Sequence, residues 1–383
     1  WTVGEARASA LEWLSRFLTA LRGDLLGRSN LEVGRREPLE AMVGIPAHAS
    51  GTQRFLTLEA FRRAGFEVVG MLNEPSAAGI EYAHRYRRSG LSRRREHMAV
   101  YDLGGGTFDV AVIRMADNHH DVVSSEGIGR LGGDDFDEAL LGLALKAAAV
   151  PPRAPRSRLL ALCREAKERI TPHTRRVAVD WGELDARAAG PVLVPAAEFF
   201  DACAPLVART IRATEAAIQQ ALGGGGADAE GLAALYLVGG ACELPVLARA
   251  LRERFGWRVR RSPYPSGATA IGLAVAADEE SRYVLTERFT RHFGLWREAD
   301  SGRRATFDAI FPKGTALPRP GDAPLLVRRR YRPAHNIGRF RFLECSAIEA
   351  GEPAGDIVPW GDVLFPLDPR LAESHGLAGV PVR

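Results

Sequence analysis

Ala99-Val100-Tyr101-Asp102-Leu103-Gly104-Gly105-Gly106-Thr107-Phe108-Asp109-Val110 carries one acid to the end of an apolar run, turns on three glycines and leaves as a second alternating run toward Ile113. Glycines lack Cβ, so such a turn can bring backbone N–H groups together on an anion. Asp102, at a strand terminus, is placed to hold a hydrated cation beside that anion, with the Thr107 hydroxyl close by. Read alone, the same residues would also serve an ordinary β-hairpin. Three further segments share the grammar. Asn73-Glu74-Pro75-Ser76-Ala77-Ala78 puts Glu74 at a strand end and opens a helix. Leu131-Gly132-Gly133-Asp134-Asp135-Phe136-Asp137 is a glycine turn feeding an acidic helix N-terminus. Leu237-Val238-Gly239-Gly240 opens a helix whose positive dipole end can face phosphate. Phosphoryl hydrolysis asks a protein mainly for a positioned water, a metal and donors on the developing charge. Glu74, Asp102 and Thr107 can supply the water-orienting and metal-holding parts.

The 383 residues suffice for two or three domains, and 46% apolar with 26% charged content is that of a soluble globular protein. The net charge of +4 is small for this length and selects no nucleic-acid partner. Lys146, Lys167 and Lys313 are the only lysines, an arginine bias that reads as GC-rich coding. The arginine runs Arg93 to Arg95 and Arg328 to Arg330 read as solvated loop charges, and His119-His120 as a solvated turn. Cys163, Cys203, Cys242 and Cys345 lack CxxC spacing and read as buried or free thiols of a reducing compartment. No run approaches a membrane span and no signal-peptide pattern opens the chain, so a cytoplasmic location is expected. Trp1 leads straight into helical pattern, as in a piece of a longer polypeptide.

Apolar spacing predicts helices over 5–22, 50–64 (with Ser50 as N-cap), 75–86, 134–148, 156–170, 196–222, 244–254 and 266–280. Strands are expected at 40–45, 66–72, 97–103, 107–115, 120–128, 175–181 and 232–238. Pro151, Pro152 and Pro155 break the chain, and Gly223 to Gly226 reads as a flexible loop. The alternation implies a mixed sheet covered by helices. After about 282 the texture changes to Pro/Gly-punctuated β runs, such as Leu325 to Val327 and Phe340 to Leu343. Two domains follow, an α/β portion over 1–282 and a smaller β-rich one over 283–383.

With Gly44-Ile45-Pro46-Ala47 added, these segments match, in order and spacing, the ATPase domain of DnaK-type heat-shock chaperones, so residues 1–282 resemble that family. The resemblance implies an actin-like (ribonuclease H-like) ATPase fold in which two lobes close over Mg-ATP. It implies Asp102 as a magnesium-network and water-positioning acid, and Glu74 as part of the hydrated-magnesium and attacking-water network. Gly104, Gly105, Gly106 and Thr107 would face the γ-phosphate. Gly239 and Gly240 would line the nucleotide near its ribose and α-phosphate, and Lys167 and Thr171 would contact the nucleoside. Unfolded or hydrophobic peptide segments would be the clients, with a J-domain protein and a nucleotide exchange factor as co-chaperones and roles in protein folding and the stress response.

The departures shape the expectation as well. The family's first phosphate hairpin and its γ-phosphate lysine would lie upstream of Trp1, so the chain reads as an N-terminally incomplete ATPase domain with little activity alone. Glu243 and Glu168 stand where the family has cations beside adenine, and Arg164 where it has a nucleoside-contacting glutamate; an acid cannot give a cation–π contact. Tyr283 to Thr290 replaces the family's leucine-rich linker, Phe311 to Pro318 resembles a hairpin of its peptide-binding β-sandwich, and no helical lid is present. The leading reading is an ATP-dependent chaperone. The alternative is a nucleotide-sensing or scaffolding module that keeps the actin-like fold, and a sugar kinase or filament protein is a third option.

Overall fold

The computed structural model describes residues 2–3, 6–30, 32–33, 37–86, 96–116, 118–148, 154–182, 184, 190–223, 231–299, 303–318, 322–331 and 337–366. Arg93 to Arg95, Pro151, Pro152 and Gly224 to Gly226 lie outside them. The chain divides into two compact units, Trp1–Val284 and Leu285–Arg383.

In the first unit β1 (Thr2–Val3) pairs with β2 (Ala6–Arg7), and α1 (Ala10–Arg28) follows. Ser9 caps α1: its hydroxyl accepts the Glu12 N–H while the Glu12 carboxylate accepts the Ser9 N–H at 2.7 Å. That box sets the start later than the apolar spacing suggested, and the helix continues past 22 to Arg28. β3 (Glu40–Ile45), α2 (Gly51–Arg63) and β4 (Glu67–Asn73) form a parallel pair with its crossover helix, and Ser50 caps α2 as expected. Leu18, Ala60, Ala64 and Phe66 make the small core beneath them.

α3 (Glu74–Tyr86) starts on the residue after β4. Then come β5 (His97–Leu103), β6 (Phe108–Ala116), β7 (His119–Ile128), α4 (Gly133–Ala147), α5 (Arg156–Glu168), β8 (Arg176–Val179), β9 (Val192–Pro195) and α6 (Ala196–Leu222). β10 (Leu232–Val238), α7 (Pro245–Phe255), β11 (Val259–Arg261) and α8 (Ala268–Ala277) complete the series, and β12 (Val284–Thr286) spans the boundary between units. β5, β6 and β7 form an antiparallel meander; β10 lies parallel to the free side of β5, and β11 parallel to β10. The sheet is mixed, as expected.

Period-two alternation sorts the side chains of β5 and β6 between its faces. Ala99, Tyr101, Leu103, Phe108, Val110 and Val112 enter the main core with Phe136, Trp181 and Phe199 from the segments of α4 to α6. The opposite set, which includes Asp102 and Asp109, faces the side where α3 packs. The fold thus turns both acids away from the main core. His119 and His120 are in β7, not in a solvated turn: His120 is buried, edge-on to Tyr283 at 5.3 Å. β9 was not legible in the sequence; it is the hairpin partner of β8. All four cysteines are buried free thiols.

The second unit is an antiparallel sheet ordered β14-β13-β15-β16, from β13 (His292–Ala299), β14 (Arg304–Phe311), β15 (Ile337–Glu349) and β16 (Glu352–Pro366). Phe307, Leu343 and Cys345 form its core. Phe340 to Leu343 lies inside β15, but Leu325 to Val327 forms no strand: those residues are largely exposed and enter no ladder, so β propensity had no partner to act through. The β15–β16 hairpin turns on Ala350 (φ 50°) and Gly351 (φ 84°), both left-handed. Alanine is the wrong residue for the first of these, where Asn-Gly is favoured. Ala350→Asn is therefore expected to stabilise this unit by about 0.5–1 kcal/mol, read as a higher unfolding midpoint in urea.

Candidate functional site

The turn from Asp102 to Asp109 is a tight hairpin: Leu103 opposes Phe108, and Asp102 lies directly opposite Asp109 across the ladder. Directly opposed residues point to the same face, so the strand pairing itself forces two buried carboxylates together. Gly104 N–H donates to Thr107 O at 3.1 Å, closing the loop. The loop is then clasped by the start of α4, where Gly133 N–H donates to Gly104 O at 2.9 Å and Asp134 N–H to Gly105 O at 2.8 Å. Gly132 makes this approach possible, since a Cβ there would sit 2.4 Å from Gly105 O. Helix-terminal donors that could have faced a ligand are used to hold the loop.

Glu74 reaches the same place from another direction, because α3 begins where β4 ends and leaves no intervening loop. Burial, then the charge of Asp109, lifts the Glu74 carboxyl to about 7. Burial, then the charges of Glu74 and Asp109, lifts Asp102 to about 8. These mutual influences bring Glu74, Asp102 and Asp109 into one electrostatic cluster. Gly239 closes its far side: at φ 86° it lies so near β5 that a Cβ would meet Leu103 O at 2.3 Å and Asp102 Oδ1 at 2.7 Å. Gly104 to Gly106 border open space, and nothing lies within 4 Å of where a Gly106 Cβ would be.

Lys167 and Gly240 meet in a small cleft of about 100 Å³, lined also by Phe136, Glu168, Ala241 and Glu243. The Lys167 ammonium is held by Asp137 at 2.6 Å and by Gly133 O at 2.7 Å. Arg164 pairs with Asp134 and, at 3.2 Å, with Asp137. Thr171 is an exposed turn residue bonded to Thr174 and does not line this cleft. The structure therefore gathers Glu74, Asp102, Gly104 to Gly106, Thr107 and Gly239 around the hairpin, and Lys167 with Gly240 beside it. Asp109 was missed as a site residue, although its mirror position to Asp102 about the glycine turn was the available signal.

The family model described as Hsp70 protein matches residues 31–283. Proteins named chaperone protein HscA homolog are similar: that of Polynucleobacter asymbioticus is 35% identical over 73% of this chain and 44% of its own length. Those of Azoarcus sp. strain BH72 (35%, over 76% and 46%) and Pseudomonas fluorescens (33%, over 82% and 47%) are similar too. The chain spans about half the length of the curated relatives it matches.

An antiparallel meander extended by parallel strands, covered by helices and carrying a clasped glycine turn, is an actin-like α/β fold, the class to which Hsp70 ATPase domains belong. Within that class the chain belongs to the Hsp70 family of chaperones. Among the described residues no helix is long and apolar enough to cross a membrane.

Proposed function

We propose that the first unit supplies part of a site that binds and hydrolyses Mg-ATP, and that the second binds extended hydrophobic segments of unfolded proteins, with the two events coupled as in an ATP-dependent chaperone. The observation that carries this reading is the cluster of Glu74, Asp102 and Asp109 beside an open glycine loop. Buried carboxylates that repel one another are what a hard divalent cation relieves, and an all-oxygen set suits magnesium. Asp102 would hold the hydrated ion, with Glu74 engaged through water, and Gly104 to Thr107 would face the phosphates. Gly239 and Gly240 would line the ribose end and Lys167 the nucleoside, whereas Thr171, outside that cleft, would take no part. Bound magnesium would supply neutralisation of phosphate charge. Glu74 would accept a proton from the attacking water, which Asp102 would orient. A J-domain protein and an exchange factor are the co-chaperones expected of such a cycle, in the cytoplasm, in folding and the stress response.

The alternative, a nucleotide-sensing scaffold without cycling, draws on the nucleoside cleft, where Glu168 and Glu243 stand on the lining and Lys167 is already engaged by Asp137. Calorimetry with Mg-ATP and turnover with and without an unfolded peptide separate the readings. The chaperone reading expects nucleotide binding and a several-fold rise in turnover with peptide. Binding that peptide leaves unchanged establishes the scaffold, and no nucleotide binding overturns both.

A further inference from the structure

His48 sits in the turn after β3, and its ring and backbone both address Asp109. His48 Nδ1 lies 3.0 Å from Asp109 Oδ1, and the His48 N–H donates to the same oxygen at 3.3 Å. Both bonds end on Oδ1 and orient the carboxyl group. Both side chains are nearly buried, 11% and 5% exposed. The turn is itself built to hold the ring in place. Arg54, on α2, donates to Ala47 O at 2.9 Å and Ala49 O at 3.3 Å, on either side of His48, and to Asn73 Oδ1 at 2.8 Å, next to Glu74. One guanidinium thereby ties the histidine turn to the residue before Glu74. On the far side, Gly127 of β7 is opposite Asp109 in the ladder, and a Cβ there would lie 2.3 Å from His48 Nδ1 and 2.9 Å from Asp109 Oδ1. Space for the pair exists because that residue is glycine.

We infer that His48 is a positioning residue: by anchoring Asp109 through Oδ1 it fixes the carboxyl that faces Asp102 across the ladder, where it would bear on the hydrated cation through water rather than as one of three direct ligands. The inference rests on the reading of this site as one for a magnesium-bound nucleotide. Nothing in it requires His48 to touch nucleotide, so its removal weakens the contribution of the cation and spares that of the nucleotide. A carboxyl freed from its anchor can turn away from the cluster, and a misplaced carboxyl costs a site much of its preorganisation.

The test compares the wild-type protein with His48→Phe, which keeps a ring and removes the donor, and His48→Asn, whose amide can donate where Nδ1 stands. Affinity for ADP is measured by calorimetry in EDTA and again in excess magnesium chloride. In EDTA the three proteins are expected to agree within about threefold. Magnesium is expected to tighten the wild-type and His48→Asn proteins alike, and His48→Phe about tenfold less. Should His48→Phe not fold, His48→Ala, which adds no bulk, takes its place. An undiminished magnesium effect in the donorless variant overturns the inference and leaves the nucleotide site standing. So does an equal loss with and without magnesium, the mark of a merely structural role. A wild-type protein that binds ADP identically in EDTA and magnesium overturns the inference together with the magnesium site it rests on.

Discussion

Asp102→Asn is expected to make the protein more stable in EDTA and, on the proposed function, to remove the magnesium dependence of nucleotide binding. Asp102 faces Asp109 across the ladder and shares a buried cluster with Glu74, so the cluster, once ionised, is under like-charge strain. The sign follows from linkage. Both Asp102 and Glu74 hold protons more tightly in the folded chain than when exposed, so folding is favoured while they stay protonated. That contribution is complete below the ordinary carboxyl values of 3.8 and 4.5, and is lost as pH rises through about 7 for Glu74 and about 8 for Asp102. Asparagine removes one ionisation and eases the other, with a gain of about 2 kcal/mol at pH 8, or roughly 5 °C in melting temperature. The gain shrinks toward pH 4, where the wild-type acids are already neutral. ATP hydrolysis, where the wild-type protein shows it, falls by about a hundredfold or more. Scanning calorimetry from pH 4 to 9 in EDTA provides the check. A variant less stable than wild type at pH 8 would show that the acids are not strained, and a variant whose nucleotide affinity still responds to magnesium would remove Asp102 from the cation site.

The glycine turn and its strands were legible because both signals are local: β propensity runs up to Asp102, and three glycines, which disfavour continued strand and permit conformations other residues avoid, mark a turn. Glu74 could likewise be placed at a strand end from the switch between Asn73 and Pro75. What sequence did not show depends on contacts between distant segments. The placement of Asp109 beside Asp102 follows from hairpin register, and a one-residue slip would have turned it to the other face. Nothing local marks His48, because its partner is 61 positions away and its space is made by Gly127 on a third segment. His120 was misread for the same reason. Two adjacent histidines suggest solvent, yet β pairing sends one of them inward against Tyr283.

Two glycine-to-alanine changes, Gly132→Ala and Gly106→Ala, are expected to fail in opposite ways, which separates holding the loop from receiving a ligand. Gly132 has extended backbone that any residue adopts, so the obstacle to a side chain is space alone. The added methyl would lie 2.4 Å from Gly105 O and 2.5 Å from both Gly105 C and Gly106 N, all backbone atoms that cannot rotate aside. Either the start of α4 or the loop must move, which puts at risk the bonds from Gly133 and Asp134 that clasp Gly104 and Gly105. Overpacking of this kind, with two hydrogen bonds disturbed, costs about 2–4 kcal/mol, and nucleotide affinity falls with it. At Gly106 the same methyl enters open space, so the melting temperature stays within about 2 °C of wild type. If that space is where phosphate lies, Gly106→Ala nevertheless loses about tenfold or more in ATP affinity, because the backbone can no longer approach the anion closely. Melting curves and calorimetric titrations on the two variants decide the matter. Intact stability with lost affinity at Gly106 assigns the open face of the loop to the ligand. Intact affinity there would leave the three glycines as a folding device, held by α4 and facing nothing.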